Sequence, residues 1–467
     1  MPRRFAFVLN LLVAAMLVGP PAAAETPISR LAAALRFQTV SPQSPGDFDA
    51  APFLAMHQFL AAAFPRTHAA LEREVVAGYS LLYTWQGRDP SAEPILLTSH
   101  LDVVPVIPGT EEQWEQPPFG GVVADGHVWG RGALDDKVGV LATLEAVEGL
   151  LAEGFVPDRT VYLAFGHDEE LGGPQGAAAI TALLAERGVR LQFTLDEGMA
   201  IVEGMGGVDR PIAMVGVAEK GFLTLRLVAH AAGGHSSVPS RNGAIPRLAR
   251  ALVRLDETPL PARLGSVAGG LLDAIRPYLP GLQGFVIAQR WALGGVLESY
   301  LSEDPAMNAI IRTTTAMTIL EGGVKANVLP TSATATVNFR LVPGDSVDFV
   351  VDEVRRIIDD PGIDIEVGQG REASAVASAD SAGYAAIARA VRATDPDLVV
   401  APALVVGGTD TKHYGQLADD SYRFTPFRLR PSDMGRIHGT NERLAVDDYA
   451  TMIAFYSALL RDASAAR

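Results

Sequence analysis

The feature that most restricts the fold is a series of near-continuous apolar segments that end in glycine, histidine or a carboxylate. Three of them read "PILLTSH", "RTVYLAFG" and "RLQFTLDEG", and the pattern "VGVLATLEAVEGLLAEG" between the first two predicts an amphipathic helix. Strands that are apolar throughout are typical of strands covered on both faces, as in a mostly parallel α/β sheet. Because such sheets bind ligands at the carboxyl ends of their strands, we expect the functional site at that edge.

The pattern changes in the middle of the chain. At 467 residues the chain is long enough for two domains. The segments "GFLTLRLVAHA", "AIPRLARALVRLDE", "TTTAMTIL", "ATATVNFRLV", "SVDFVVDEVRRIIDD" and "IDIEVG" predict the order β-α-β-β-α-β, which is ferredoxin-like. A stretch rich in Pro and Gly at about 256–310 indicates a partly helical insertion. We therefore predict a catalytic domain formed by residues 25–217 and 373–467, interrupted by an α+β domain at 218–372.

The N-terminus has the features of a secretory signal. A basic "MPRR" is followed by the apolar "FAFVLNLLVAAMLVG" and by "PPAAAE", which predicts cleavage after Ala24 and a periplasmic or secreted protein. The alternative is an uncleaved membrane anchor. The apolar run is shorter than the roughly 20 residues that span a bilayer, and it contains Asn10. We therefore expect a signal peptide at 1–24 and no stable membrane insertion after its removal.

Charge and composition exclude several classes of function. The formal net charge of −16 argues against nucleic acid and anionic membrane surfaces as partners. The chain has no cysteine, so disulfides, thiolate nucleophiles and Cys-ligated metals are excluded. Any metal site must therefore use histidine, aspartate and glutamate.

Two motifs place such residues near the predicted sheet edge. In "SHLDVVP", His100 ends a strand, and Asp102 can accept a hydrogen bond from its ring and fix its tautomer. A surface His–Asp pair is the alternative. In "WGRGALDDK", Asp135 and Asp136 precede a helix, where helix capping is the alternative. Each motif alone has a structural explanation.

Two further motifs make those separate explanations insufficient. Glu169 and Glu170 follow the next strand in "GHDEELGG", and Asp196 and Glu197 end the strand after it. Adjacent carboxylates repel each other, so a positive group must lie nearby. Oxygen ligands and imidazole without thiols suit zinc, manganese or cobalt.

The motifs "SHLDVVP", "WGRGALDDK", "GHDEELGG", "LDEG", "GGHSSVP", "GGTDTKHY" and "RIHGTNERL" resemble the dinuclear zinc exopeptidase and aminoacylase family. That family includes carboxypeptidase G, carboxypeptidase S, aminoacylase and succinyl-diaminopimelate desuccinylase. The resemblance covers nearly the whole mature chain and is strongest to the carboxypeptidase S and secreted N-acyl-amino-acid hydrolase branch. It implies an α/β catalytic domain with an inserted ferredoxin-like lid.

The resemblance also implies a ligand set for two divalent ions, with zinc expected first and cobalt or manganese as alternatives. Asp135 would bridge the ions, His100 and Asp196 would complete one, and Glu170 and His438 the other. Glu169 would be the general base, and Asp102 would orient the histidine ligand. Asp136 and Glu197 are the neighbours most easily confused with the ligands.

Three residues of the lid receive roles from the same resemblance. His235 would stabilise the oxyanion of the transition state, although as an isolated residue it would be interpreted as a polar turn histidine. In dimeric members this histidine comes from the partner subunit, and here delivery from either subunit stays open. Asn327 and Arg340 would hold the carboxylate of the substrate, with a solvated arginine as the alternative for Arg340.

The expected function is a secreted metal-dependent hydrolase that cleaves an amide bond next to a free carboxylate. Its substrate would be a small peptide, a dipeptide or an N-acyl amino acid, and a homodimer through the lid would be compatible with the family. A non-catalytic periplasmic solute-binding protein is the alternative. A serine hydrolase is not supported, because the sequence contains no G-x-S-x-G motif.

Overall fold

The computed structural model describes residues 26–205, 207–430 and 432–465. The helices are α1 Pro27–Ala34, α2 Ala51–Ala63, α3 Pro65–Ala70, α4 Lys137–Ala152, α5 Ala177–Glu186, α6 Ala244–Glu257, α7 Ser266–Ile275, α8 Gly281–Ala288, α9 Arg290–Ser302, α10 Pro305–Ile311, α11 Val347–Ile358, α12 Ala382–Thr394, α13 Thr411–Tyr414 and α14 Val446–Ala463. The strands are β1 Glu72–Val76, β2 Ser80–Trp85, β3 Ile95–His100, β4 Val122–Ala124, β5 His127–Trp129, β6 Val161–Gly166, β7 Leu191–Asp196, β8 Ile201–Val202, β9 Ile212–Glu219, β10 Gly221–His230, β11 Gly234–His235, β12 Thr314–Gly322, β13 Val328–Leu329, β14 Ser332–Leu341, β15 Ile363–Arg371, β16 Val399–Val405, β17 Ala418–Arg423, β18 Arg428–Leu429 and β19 Arg443–Ala445.

The large sheet has ten strands in the order β1-β2-β6-β3-β7-β17-β9-β8-β18, with β16 paired to β9. Its centre, β6-β3-β7-β17, is parallel, as the continuous apolar segments predict. The pairs β1–β2, β2–β6 and β8–β9 are antiparallel, so the whole sheet is mixed. All residues of β3 are buried, because helices cover both faces of the sheet.

Helix α4 is more deeply buried than its predicted amphipathic pattern indicates. Helices α1, α3 and α14 pack around it, so its polar side also lies inside the protein. Glu145 pairs with Arg30, and Glu148 accepts hydrogen bonds from the backbone and hydroxyl of Thr67. The two glutamates are polar groups satisfied within the core, a requirement for burying them at low cost.

The lid is the sheet of order β12-β14-β10-β15 together with helices α6 and α11, and the term is used in this sense below. Its strands are antiparallel, and the order β-α-β-β-α-β is the predicted one. Helices α6 and α11 cover one face of this sheet and bury alternate residues of β14. The edge strand β12 is exposed along most of its length.

The predicted insertion forms helices α7 to α10, and it does not join the core of the lid. Its apolar residues pack with strands β8, β9 and β16 of the large sheet. Lys220, between β9 and β10, donates hydrogen bonds to the carbonyls of Ala309 at 2.8 Å and Arg312 at 2.9 Å. The insertion therefore covers the catalytic domain and is attached at the point where the chain enters the lid.

The predicted signal segment 1–24 lies outside the described residues. Within residues 26–465, apart from positions 206 and 431, no helix has both the length and the apolar character that crossing a membrane requires.

Candidate active site

The predicted site residues meet at the carboxyl ends of the central parallel strands. Strand β3 ends at His100, β6 ends just before Glu169 and Glu170, and β7 ends just before Glu197. Asp135 reaches the same place from the turn before α4. The topology of the sheet thus brings together residues that are far apart in the sequence.

Two groups of side chains converge on Asp135. In the first, the Nε2 atom of His100 lies 2.9 Å from Oδ1 of Asp135 and 3.3 Å from Oε1 of Glu197. In the second, the Nε2 atom of His438 lies 2.9 Å from Oδ2 of Asp135 and 3.3 Å from Oε2 of Glu170. Each oxygen of Asp135 serves one group. This arrangement can hold two cations bridged by one carboxylate.

The electrostatics of the cluster also fit bound cations. Burial raises the pKa of Glu197 well above its usual value, and the charge of Asp135 raises it further. Burial likewise raises the pKa of Asp136 to about 8, although its carboxylate caps α4 through Gly139 N. Oε1 of Glu170 is buried and has no hydrogen-bond partner among the described residues. The donor set of imidazole nitrogen and carboxylate oxygen matches zinc and related divalent ions.

Asp102 organises the first group, as its spacing from His100 predicts. The ring Nδ1 of His100 lies 3.0 Å from the carbonyl oxygen of Asp102 and 3.4 Å from its Oδ1. Because both are acceptors, Nδ1 carries a proton and Nε2 is left for a metal. The same carboxylate accepts hydrogen bonds from the backbone N–H groups of Glu169 and Glu170, each at 3.2 Å. Asp102 therefore orients the histidine and the glutamate pair together.

Glu169 and Glu170 have different surroundings. Glu170 belongs to the second group, whereas Glu169 belongs to neither. Burial raises the pKa of Glu169 to about 8, and Asp135 and Glu170 contribute to that increase while His100 opposes it. Glu169 is thus an ionisable group with a raised pKa beside the cluster and outside both candidate ligand groups.

The predicted ligand Asp196 does not join the first group, whereas its neighbour Glu197 does. Oδ2 of Asp196 accepts hydrogen bonds from the N–H of Thr411 at 2.8 Å and from its hydroxyl at 2.6 Å. Asp196 is the last residue of β7, and its side chain lies on the side of the sheet occupied by α13. Glu197 follows it and reaches His100 instead.

Arg131 and Glu442 support the second group and were missed by the sequence analysis. They form a buried ion pair at 2.6 Å. Arg131 also donates to the carbonyl of His438 at 3.3 Å, and Glu442 accepts from the N–H of Asp135 at 3.2 Å. The pair thus joins the segments "WGRGALDD" and "RIHGTNER". The opposite charges of these two residues, close to candidate ligands in the sequence, could have indicated the pair. The pair is important for the position of His438, because the side chain of His438 is 53% exposed and that of His100 only 1%.

The three predicted lid residues lie outside the cluster. His235 and Asn327 are neighbours, because β11 pairs with β13 and Ser236 N donates to the carbonyl of Asn327 at 3.2 Å. Nδ1 of His235 accepts a hydrogen bond from the N–H of Ser237, which leaves Nε2 with the proton. His235, Asn327 and Arg340 are all exposed. Within the described parts of the chain, none of them hydrogen-bonds to a cluster residue.

This geometry agrees with the similarity of the chain to known proteins. Residues 96–462 match the sequence model of the family described as "Peptidase family M20/M25/M40". The chain belongs to this family. It is 40% identical to a probable carboxypeptidase S-like 2 of Dictyostelium discoideum over 93% of this chain and 84% of that protein. It is 38% identical to the mouse N-fatty-acyl-amino acid synthase/hydrolase PM20D1, over 87% of this chain and 82% of that protein.

More distant relatives extend the comparison. Carboxypeptidase S of Saccharomyces cerevisiae is 30% identical over 93% of this chain and 84% of its own length. The fold is similar to an M20 family metallo-carboxypeptidase from Sulfolobus solfataricus, with a TM-score of 0.65, 16% identity and coverage of 94% of this chain and 99% of the other. This M20 protein is thus a hydrolase of C–N bonds in a metal-dependent family, and the predicted branch is confirmed. The solute-binding alternative finds no support.

Proposed function

We propose that this M20 hydrolase cleaves an amide bond adjacent to a free carboxylate, using two divalent ions and Glu169 as the general base. The observation that carries the proposal is the pair of ligand groups sharing Asp135, with Glu169 beside them but in neither group. The ligands would be His100 and Glu197 on one side, and Glu170 and His438 on the other.

The chemistry divides between the cluster and Glu169. Two divalent ions at these ligands would polarise the amide carbonyl and make the attacking water more acidic. Glu169 takes one proton from that water and transfers it to the nitrogen of the leaving amine. Burial raises the pKa of Glu169, and a raised pKa suits a carboxyl group that first accepts a proton and then donates it.

The lid residues would act in a dimer. His235 has a free Nε2–H donor, which suits an oxyanion, but in its own chain it is exposed. We propose that a second copy of the chain supplies His235 and Asn327 to the site. The exposed edge strand β12 gives the lid a surface on which two copies can pair. We expect a homodimer with two sites, each of which takes residues from both chains.

The proposed substrates are N-acyl amino acids and dipeptides. Arg340 has no ion pair among the described residues, and its guanidinium is able to bind a carboxylate through two hydrogen bonds. Relatives named as N-fatty-acyl-amino acid hydrolases and as carboxypeptidases support acyl amino acids as the first class to test. Dipeptides are the second candidate, because the human carnosine dipeptidase 1 shares the fold with a TM-score of 0.63.

We also propose export from the cytoplasm, on the basis of the signal pattern at 1–24. Sequencing of the N-terminus of protein recovered from the periplasm or medium should find a chain that begins at Glu25. A mature protein that retains "MPRR" would contradict cleavage.

The direct test of the function is removal of metal. Chelation should abolish hydrolysis of an N-acyl amino acid, and addition of zinc, cobalt or manganese should restore it. A serine hydrolase assayed in the same buffers would show that the chelator acts on the metal and not on the substrate. Full activity in metal-free protein would contradict the proposed function.

A further inference from the structure

Asp410 is a buried carboxyl group behind the loop that carries Glu169, and the proposed function gives it no role. It lies between β16 and α13 and is 2% exposed. Neither of its oxygens has a hydrogen-bond partner among the described residues. Burying a polar group in this way costs free energy, so its position calls for an explanation.

The carboxyl group fills the space between the two ends of the glutamate loop. This loop runs from Gly166, the last residue of β6, to Gly173. A Cβ atom at Gly166 would lie 2.8 Å from Oδ2 of Asp410, and one at Gly173 would lie 2.1 Å from Oδ1. Gly173 also has a φ of +67°, which favours glycine. Both ends of the loop are therefore packed against Asp410 at distances that only glycine permits.

The residues after Asp410 fix it in place. Thr411 is attached to β7 through the carboxylate of Asp196, with hydrogen bonds of 2.8 Å and 2.6 Å. Nε2–H of His413 donates to the carbonyl of Gly172 at 2.9 Å. Helix α13 thus connects the large sheet to the glutamate loop, and Asp410 directly precedes its first residue.

The charges nearby are compatible with a neutral carboxyl group. Burial raises the pKa of Asp410 well above its usual value, and the carboxylates of Glu169 and Asp196 raise it further. A protonated Asp410 does not repel Glu169. The side chain of Glu169 makes no hydrogen bond to the described residues, so its direction depends on the loop that carries it.

We propose that Asp410 is a positioning residue for the general base. Its carboxyl group packs between Gly166 and Gly173 and holds the loop so that Glu169 points toward the attacking water. The inference rests on the proposed role of Glu169. It assigns to the "GGTDTKHY" segment a mechanical function in catalysis that is separate from metal binding.

The first test compares two substitutions of Asp410 in the metal-loaded enzyme. Asp410→Ala leaves a gap behind the loop and should lower kcat about 10²-fold, the effect of a displacement of roughly 1 Å at a catalytic group. KM and metal content should change little. Asp410→Asn has nearly the same shape without a charge, so it should retain kcat and the pH profile of the enzyme.

A matched control separates positioning from stability. Glu148 is also buried, and it binds the backbone of α3 far from the loop. Glu148→Ala should lower Tm while kcat stays unchanged. Asp410→Ala with normal kcat would overturn the inference. Loss of metal in Asp410→Ala, or a loss of activity in Asp410→Asn as large as in Asp410→Ala, would also overturn it.

A second test does not depend on the folding of Asp410→Ala. Gly173→Ala should lower kcat, because the new Cβ meets Oδ1 of Asp410. The double variant with Asp410→Ala removes that clash and should recover part of the activity lost by Gly173→Ala. If the reduction in kcat of the double variant equals the product of the two single reductions, the two residues do not share a contact.

The Glu169→Ala variant, assayed in parallel, tells the two proposals apart. If it keeps full activity, the proposed function fails and the positioning role with it. If Glu169→Ala is inactive but Asp410→Ala is normal, only the positioning role fails.

Discussion

The large sheet and the lid present their functional residues in opposite ways. At the end of the large sheet His100 and Asp135 are already in contact at 2.9 Å. On the lid, His235 and Arg340 are exposed and make no hydrogen bond to that cluster within the described residues. One region holds a prepared site, whereas the other holds exposed hydrogen-bond donors. Under the proposed function, metal binding and proton transfer would need one chain, and a second chain would supply the lid residues.

The difference has a physical cause. The candidate ligands that follow β3, β6 and β7 are positioned by the hydrogen-bonded register of a buried sheet. Asp102 and the Arg131–Glu442 pair fix them further. Such preorganisation lowers the cost of binding a cation. On the lid, Arg340 occupies an exposed position of the central strand β14, and His235 lies on the exposed two-residue strand β11. Their backbones are paired, but within the described residues no side chain of the cluster holds them.

The largest expected effect separates the two adjacent glutamates of the prepared site. Glu169→Ala should keep its metal and lose about 10²–10⁴ in kcat, because general base catalysis is removed. Glu170→Ala should lose or loosen one metal, because Oε2 lies with His438 in the second group. Metal analysis and steady-state kinetics on both variants measure this. Equal metal content and equal rates in the two would contradict their separate roles.

A somewhat smaller effect tests the lid. His235→Ala should lower kcat about 10²–10³-fold with little change in KM, because an oxyanion donor acts in the transition state. In a mixed dimer, a His235→Ala subunit and a Glu169→Ala subunit should together restore one working site. Absence of rescue in a proven mixed dimer would indicate that His235 acts within its own chain. Ser237→Ala, which removes only the hydroxyl beside Nδ1, serves as a control with a smaller effect.

Substrate recognition by the lid is the next test. Replacing the free carboxylate of an N-acyl amino acid by an amide should lower kcat/KM about tenfold to a hundredfold, because Arg340 is then left without its anionic partner. Arg340→Ala should shrink this preference. Arg226→Ala, on β10 of the same sheet with a surface ion pair to Glu366, is a matched control. Equal cleavage of acid and amide by the unmutated enzyme would show that the site does not recognise a carboxylate.

The last prediction concerns stability instead of activity, at the junction between the two regions. Burial, with a smaller contribution from the charge of Arg340, lowers the pKa of Lys220 to about 7. The unfolded chain keeps this proton up to a pH of about 10.4. Between these values the unfolded chain binds more protons, so the free energy of unfolding should rise with pH by at most about 1.4 kcal/mol per unit.

Lys220→Met should flatten that increase. Urea unfolding of both proteins at several pH values between about 7 and 10 measures the difference. A neutral lysine still has two N–H donors for the carbonyls of Ala309 and Arg312, so the contact itself survives deprotonation. Identical pH slopes in the two proteins would mean that Lys220 keeps its charge in the folded state.

Much of this organisation was predictable from the sequence. Continuous apolar strands predicted the parallel centre of the sheet. The ends of the strands and the start of the helix after Asp135 predicted where His100, Asp135 and Glu170 meet. The order of lid elements followed from alternation in strands such as β14, which buries every second residue. These predictions depend on local periodicity, which a sequence displays directly.

The remainder depends on relations that one sequence does not display. Asp196 and Glu197 are adjacent carboxylates, and the choice between them rests on which side of β7 faces His100. That side is set by α13, which is more than two hundred residues away along the chain and binds Asp196 through Thr411. The packing of α7 to α10 on the large sheet was hidden for a similar reason, because their apolar residues could equally have faced the lid.

The measurement that tests the account most directly is the metal content of a matched pair of variants. The unmutated chain should bind about two divalent ions. Glu197→Gln should bind about one less, because the first group loses a charged ligand next to His100. Asp196→Asn keeps the shape of a side chain that binds Thr411 and should retain about two. Full metal content in Glu197→Gln together with loss of an ion in Asp196→Asn would contradict the ligand set.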